Sequence, residues 1–228
     1  MIGYFNYTVW LTYLSLASAT TGIVLTLTGD GHPFVGMFFM LFCALCDAFD
    51  GKVARTKKNR SVEECKYGIQ IDSLSDIVAF GVLPASIAAA LVFRSEVYNF
   101  GTKGWDFVFT VVAFAIMIFF VLAGLIRLAY FNVTEEQRQD NDEGARKYYL
   151  GLPITLGSMF LPAGLAIVLI VEKLAKIDFT LFYYGFLLAV GIAFITKFRL
   201  RKPGVKILIG MITLGAIEAG LMIYALLI

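Results

Sequence analysis

Residues 107 to 125 read FVFTVVAFAIMIFFVLAGL, a run without one charged side chain. About 20 apolar residues in helical form cross the hydrocarbon core of a bilayer. The run shows no alternation of polar and apolar positions, so it does not fit an outer-membrane barrel built from ~10-residue alternating strands. Hydropathy, with Gly and Pro as punctuation, predicts helices near residues 9 to 28, 34 to 55, 67 to 93, 106 to 131, 149 to 171, 178 to 196 and 205 to 228. The fold class that follows is an all-α polytopic membrane protein, with a six-helix core and a seventh, C-terminal transmembrane helix. Composition agrees, since the 228 residues are 59% hydrophobic and 16% charged. A net charge of +2 is too small to argue for a nucleic-acid partner.

Charge placement sets the topology. With the N-terminus in the cytoplasm, segments 51 to 67, 132 to 148 and 197 to 206 lie on the cytoplasmic side and hold 14 of the 19 basic residues. That bias is what membrane insertion produces. No Lys or Arg precedes Lys52, so the start of the chain lacks the charged n-region of a cleavable signal peptide. Linkers are short and no repeat stands out, which predicts a single integral membrane domain over 1 to 228, divided into a 1 to 202 core and an added helix at 203 to 228. Cys43, Cys46 and Cys65 read as small apolar fillers, with no disulfide implied. Trp10, Trp105, Tyr148 and Tyr149 suit interfacial belts, and His32 suits an outer turn. Asn132-Val133-Thr134 has the form of a glycosylation acceptor, but its cytoplasmic placement discounts it.

Against this apolar background, residues 46 to 76 carry four aspartates, Asp47, Asp50, Asp72 and Asp76. At 100° per residue Asp47, Asp50 and Ala54 fall within about 60° of one another, and Gly68, Asp72 and Asp76 cover a stripe of about 80°. A short connection lets the two stripes face each other. An Asp deep in a spanning helix costs about 2.5 to 3.5 kcal/mol, so four cost on the order of 10 kcal/mol unless something positive offsets them. Oxygen-only ligands without His or Cys suit hard divalent cations, and two facing carboxylate pairs suggest two ions. Gly51 and Gly68 leave the backbone open to a substrate, Ala54 keeps the same face low, and Arg55 offers a planar fork for phosphate. Together these features point to a phosphate-bearing substrate held against metal.

The pattern Asp47-x-x-Asp50-Gly51-x-x-Ala54-Arg55, followed by Gly68-x-x-x-Asp72-x-x-x-Asp76, resembles the signature of the CDP-alcohol phosphatidyltransferase family, with eight positions in order. Twelve residues separate Arg55 from Gly68, a long spacer similar to that of the family's phosphatidylserine synthase branch. DSLSDIVAFGVLPA at 72 to 85, RLAYFNV at 127 to 133 and LGLPIT at 150 to 155 resemble further segments of that branch. Ser18 stands where relatives often carry an Asn before a Thr-Gly pair, here Thr21-Gly22.

The resemblance implies transfer of a phosphatidyl group from CDP-diacylglycerol to the hydroxyl of L-serine, with release of CMP. It makes Asp47, Asp50 and Asp72 ligands for two divalent cations, Mg²⁺ or Mn²⁺. Asp76 becomes the general base, which also touches a metal, and Gly51, Ala54, Arg55 and Gly68 surround the CDP moiety. It implies a homodimer in a prokaryotic cell membrane, with the active site facing the cytoplasm. Arg127, inside a predicted span, is the candidate for the acceptor's carboxylate, with Lys66, Arg146 and Lys147 as alternatives. A structural ion pair or a snorkelling side chain is the competing reading of Arg127. Lys57, Lys58 and Arg60 suit attraction of an anionic lipid, although a positive-inside loop has the same form. Glu218, in the middle of the last span, reads as a packing residue or an oligomer contact. Two other readings remain at this point. One is the same chemistry with inositol phosphate, glycerol phosphate or an ether-linked lipid, and the other is a divalent-cation transporter. Transport predicts acids spread along a pore, whereas these four cluster.

Overall fold

The computed structural model describes residues 2–28, 32–94, 104–140, 148–201 and 205–227. A 3₁₀ turn at Tyr7–Val9 leads into α1 (Trp10–Leu27), followed by α2 (Pro33–Ala54). Next come α3 (Val62–Ile77) and α4 (Leu83–Arg94), joined through a π-helical turn at Val78–Val82 into one rod. The remaining helices are α5 (Trp105–Asp140), α6 (Ile154–Ala175), α7 (Thr180–Ile195) and α8 (Val205–Leu227). Two short strands, β1 (Tyr148–Leu150) and β2 (Arg199–Arg201), complete the described elements. Among the described residues, five helical stretches are long and apolar enough to span a membrane: Tyr7–Leu27, Pro33–Ala54, Val62–Arg94, Phe107–Arg138 and Ile154–Ala175. Thr180–Ile195 and Gly210–Tyr224 are shorter apolar helices. The chain is an all-α integral membrane protein.

The three largest boundary differences from the hydropathy reading each have a local reason. The third helix starts at Val62 instead of 67, because Ser61 and Glu64 form a capping box. The Ser61 hydroxyl accepts from the Glu64 N–H at 3.1 Å, and the Glu64 carboxylate accepts from the Ser61 N–H at 3.1 Å. α5 continues past 131 to Asp140 because hydropathy marks the apolar part of a helix, and the turns after Asn132 are polar. Residues 149 to 153 are not helical. Tyr148–Leu150 pairs antiparallel with Arg199–Arg201, Tyr149 lying opposite Leu200. Gly151 then turns the chain at φ +77, donating its N–H to the Phe198 carbonyl at 2.7 Å. A Cβ there would meet the Thr196 carbonyl at 2.9 Å, so only glycine fits this crossing without strain.

The ribbon joins the segment before α6 to the segment after α7. The Phe131–Tyr149 ring contact, 6.1 Å between centroids, brings the later part of α5 to the same end of the bundle. A Lys66–Glu136 ion pair at 3.5 Å places the start of α3 at the same end. The described parts of the three basic-rich segments therefore lie at that same end.

α1 packs closely on α2 and also contacts α3 and α4. Small residues permit the approach. A Cβ on Gly22 would lie 2.6 Å from the Phe39 Cβ, and one on Gly36 would lie 2.2 Å from the Thr26 Oγ1. Ser18 takes part in the same seam by donating to the Phe39 carbonyl at 3.4 Å, which is a packing role. Cys43 and Cys46 stand at C-x-x-C spacing on α2, yet both are buried free thiols, and Cys65 is free as well. The Cys43 Sγ donates to the Ser15 carbonyl at 3.3 Å.

Candidate active site

The last two turns of α2 carry Asp47 and Asp50, and the middle of α3 carries Asp72. One carboxylate oxygen from each of the three lies within 4.8 Å of the others. The helix phasing that placed them on facing stripes is thus realised in three dimensions. Asp76 sits one turn further along α3, is buried, and stands outside that set of oxygens. Its neighbour Ser75 donates to the Thr12 carbonyl of α1 at 3.3 Å, which fixes the rotation of α3. The π-helical turn begins two residues after Asp76, in keeping with the frequency of such turns at functional sites.

Among the described residues no Lys or Arg forms an ion pair with any of the four aspartates. The ion pairs nearby include Lys57–Glu64, Lys66–Glu136 and Arg138–Glu135. Three half-buried carboxylates so close together repel one another unless a cation stands between them. Their oxygen-only chemistry fits a hard divalent ion. The cluster could hold a metal.

The connection between the two stripes is a braced elbow. Glu64 accepts from the Lys57 Nζ at 2.6 Å and from the Asn6 Nδ2 at 2.9 Å, while capping α3. The Thr56 hydroxyl donates to the Tyr7 hydroxyl at 3.2 Å, and the hydroxyls of Tyr13 and Tyr67 lie 3.0 Å apart. The N-terminal segment is thereby tied to the elbow. Within it, a Cβ on Gly51 would lie 3.3 Å from the Arg55 Nη1, and the Gly51 N–H donates to the Asp50 Oδ1. Ala54 ends α2, and Arg55 is exposed beside it. Gly68 faces a different arginine, since a Cβ there would meet the Arg60 Nη2 at 2.8 Å. The buried Nε of Arg60 has no hydrogen-bond partner. Sequence reasoning gave Arg60 only a role in surface attraction; its position eight residues before Gly68, across a capped turn, was the available signal.

A cavity of about 490 Å³ opens beside the cluster. Asp47, Asp72 and Asp76 line one side, while Arg127, Phe131 and Asn132 of α5 line another. Lys66, Tyr149, Pro153 and Thr155 also contribute to its wall. Arg127 is 5% exposed, its Nε donates to the Leu152 carbonyl at 3.0 Å, and its guanidinium lies 5.7 Å from the Phe131 ring centroid. The group therefore turns into the site and does not snorkel to the interface. Asn132 donates to the Ser73 hydroxyl at 2.7 Å, joining α5 to α3 within this wall. Its polar packing role was hidden in the sequence behind the glycosylation pattern. Arg146 and Lys147 lie outside the described residues, and Lys66 is engaged by Glu136. His32 is at the N-terminus of α2, the end of that helix opposite the aspartates.

Comparison with known proteins bears on this geometry. The sequence pattern of CDP-alcohol phosphatidyltransferases matches residues 5–196. The chain belongs to that family. Within the family, it is 40% identical over 148 residues to a CDP-diacylglycerol–serine O-phosphatidyltransferase of Saccharomyces cerevisiae, covering 63% of this chain and 44% of that protein. It is 32% identical over 139 residues to the enzyme of the same name from Helicobacter pylori, covering 60% of this chain and 49% of the relative. An archaetidylserine synthase of Methanothermobacter thermautotrophicus is 32% identical over 147 residues, covering 64% of this chain and 53% of the relative. The matches thus span about half the length of these relatives. No solved structure matches the chain.

Proposed function

We propose that the protein transfers the phosphatidyl group of CDP-diacylglycerol to the hydroxyl of L-serine, giving phosphatidylserine and CMP. The observation that carries this reading is the shared cavity, which is lined by Asp47 and Asp72 of the aspartate cluster, by Asp76 and by a buried arginine. Names of the relatives support serine as the acceptor. Asp47, Asp50 and Asp72 would hold two divalent cations, Mg²⁺ or Mn²⁺, with Asp76 near enough along α3 to contribute. Bound there, such ions would offset the diphosphate charge and stabilise the departing CMP.

Asp76 accepts the proton of the serine hydroxyl as that oxygen bonds to the lipid-linked phosphorus. The bond from that phosphorus to the CMP oxygen breaks, and CMP leaves with the electron pair. Arg127 binds the serine carboxylate, its planar fork being suited to two parallel hydrogen bonds. Gly51, Ala54, Arg55 and Gly68 surround the cytidine and phosphates. Residues 1 to 202 form the catalytic core, which works as a homodimer in a prokaryotic cell membrane with its site facing the cytoplasm. The positive-inside bias supports that orientation. The archaetidylserine synthase match keeps an ether-linked lipid donor as a second reading.

The test is CMP release by purified protein given CDP-diacylglycerol, Mg²⁺ or Mn²⁺, and a panel of alcohols. Serine-dependent release with formation of phosphatidylserine is expected. Release with glycerol phosphate or inositol phosphate, and none with serine, would overturn the acceptor assignment.

A further inference from the structure

α8 lies beyond the family match, which ends at residue 196, and carries Glu218 near its middle. Glu218 is 2% exposed, and neither carboxylate oxygen has a hydrogen-bond partner. The outward side of the helix is formed by exposed apolar residues such as Ile217 and Leu221, so Glu218 is turned into the bundle and is not an oligomer contact. It lines a second cavity of about 390 Å³ between α2, α6 and α8, whose walls are mainly apolar side chains such as Leu45, Leu156 and Met211. Asp47, Tyr149, Pro153 and Thr155 line this chamber and the aspartate cavity alike, so the two adjoin.

An unsatisfied carboxyl group among apolar side chains is costly, and on an apolar helix of a membrane protein it points to a site. In its uncharged form the group offers one O–H donor and one carbonyl acceptor. We propose that this chamber is a subsite for the glycerol linkage of a CDP-linked lipid, in which Glu218 donates a hydrogen bond to the carbonyl oxygen of an ester-linked chain. The inference rests on the reading that the donor is a CDP-lipid. With the diphosphate at Asp47, the next atoms of that donor are its glycerol carbons and their linkages, and the adjoining chamber is the apolar space they meet. An ester presents a carbonyl oxygen there. An ether presents a single, weaker acceptor, so the contact discriminates between acyl and alkyl lipids.

The test measures binding of CDP-diacylglycerol and of its dialkyl analogue to detergent-purified protein, with Mg²⁺ and no acceptor. One net hydrogen bond corresponds to a preference of several-fold, up to about tenfold, for the diacyl form. Glu218→Gln, which keeps an N–H donor, should retain the preference. Glu218→Leu should abolish it by weakening diacyl binding alone, leaving dialkyl binding and heat stability at least at the wild-type level. An unchanged preference in Glu218→Leu overturns the proposal. Equal loss of both ligands also overturns it and makes Glu218 a packing residue, and a wild-type protein that binds neither lipid removes the subsite altogether. The serine reading fails separately, by absence of serine-dependent CMP release from protein that still binds the CDP-lipid.

Discussion

The α3 side of the aspartate cavity and the α8 side of the adjoining chamber bury carboxyl groups in opposite ways. On α3, Asp72 shares a space of 4.8 Å with Asp47 and Asp50, and the cavity wall beside them includes the polar side chains Ser73, Asn132 and Arg127. On α8, Glu218 stands in a chamber whose lining residues are mostly apolar, with Asp47 at the boundary to the other cavity as its acidic companion. Clustered carboxylates concentrate charge and call for a multivalent cation, whereas one in mostly apolar surroundings calls for a neutral hydrogen-bonding partner. Asp47, which lines both cavities, is where the two regimes meet.

The strongest way to break this contrast is to dismantle the cluster. Asp72→Ala should abolish both CMP release and the rise in melting temperature on adding Mn²⁺. Asp76→Asn should keep the Mn²⁺ response and lose about 10²- to 10⁴-fold in kcat, the range for a general base. Full activity in Asp76→Asn would remove the base from the mechanism. A smaller effect is expected on the cationic side of the same wall. Arg127→Ala removes a charge-assisted contact of about 1.5 to 3 kcal/mol, so serine KM should rise roughly 10- to 100-fold while binding of CDP-lipid is kept. An unchanged serine KM would leave Arg127 a packing role, beside the Leu152 carbonyl and the Phe131 ring. The smallest effect sharpens the comparison by touching neither carboxyl region directly. Ser61→Ala opens the cap of α3 and should cost ~1 kcal/mol, read as a lower midpoint of heat unfolding with the Mn²⁺ response intact.

Much of the fold was legible because membrane helices announce themselves by composition. Every predicted segment holds a helix, and the errors fall where polarity and helicity part company. α5 runs on through polar turns, and α3 begins at a capping box that hydropathy does not register. The Tyr148–Leu150 strand was missed because its partner lies some fifty residues away at Arg199–Arg201, and a three-residue strand has no pattern of its own. At the site, the aspartate spacing was readable because helix periodicity converts sequence distance directly into angle. Arg60 over Gly68 and the Ser73–Asn132 contact were not, since each depends on how separate segments approach one another.

For this chain, then, local and periodic information determined a good deal unaided: the membrane class, the approximate spans, the side that carries the basic segments, and the two acidic stripes. Tertiary structure alone decided that the spacer is a braced elbow, that Arg127 turns into the cavity, and that Glu218 faces an apolar chamber sharing Asp47 with the aspartate cluster. The physical reason is that helix phase is set along the chain, whereas cavities arise where several helices fail to fill the space between them. Which side chains border such a gap depends on the packing of all of them at once.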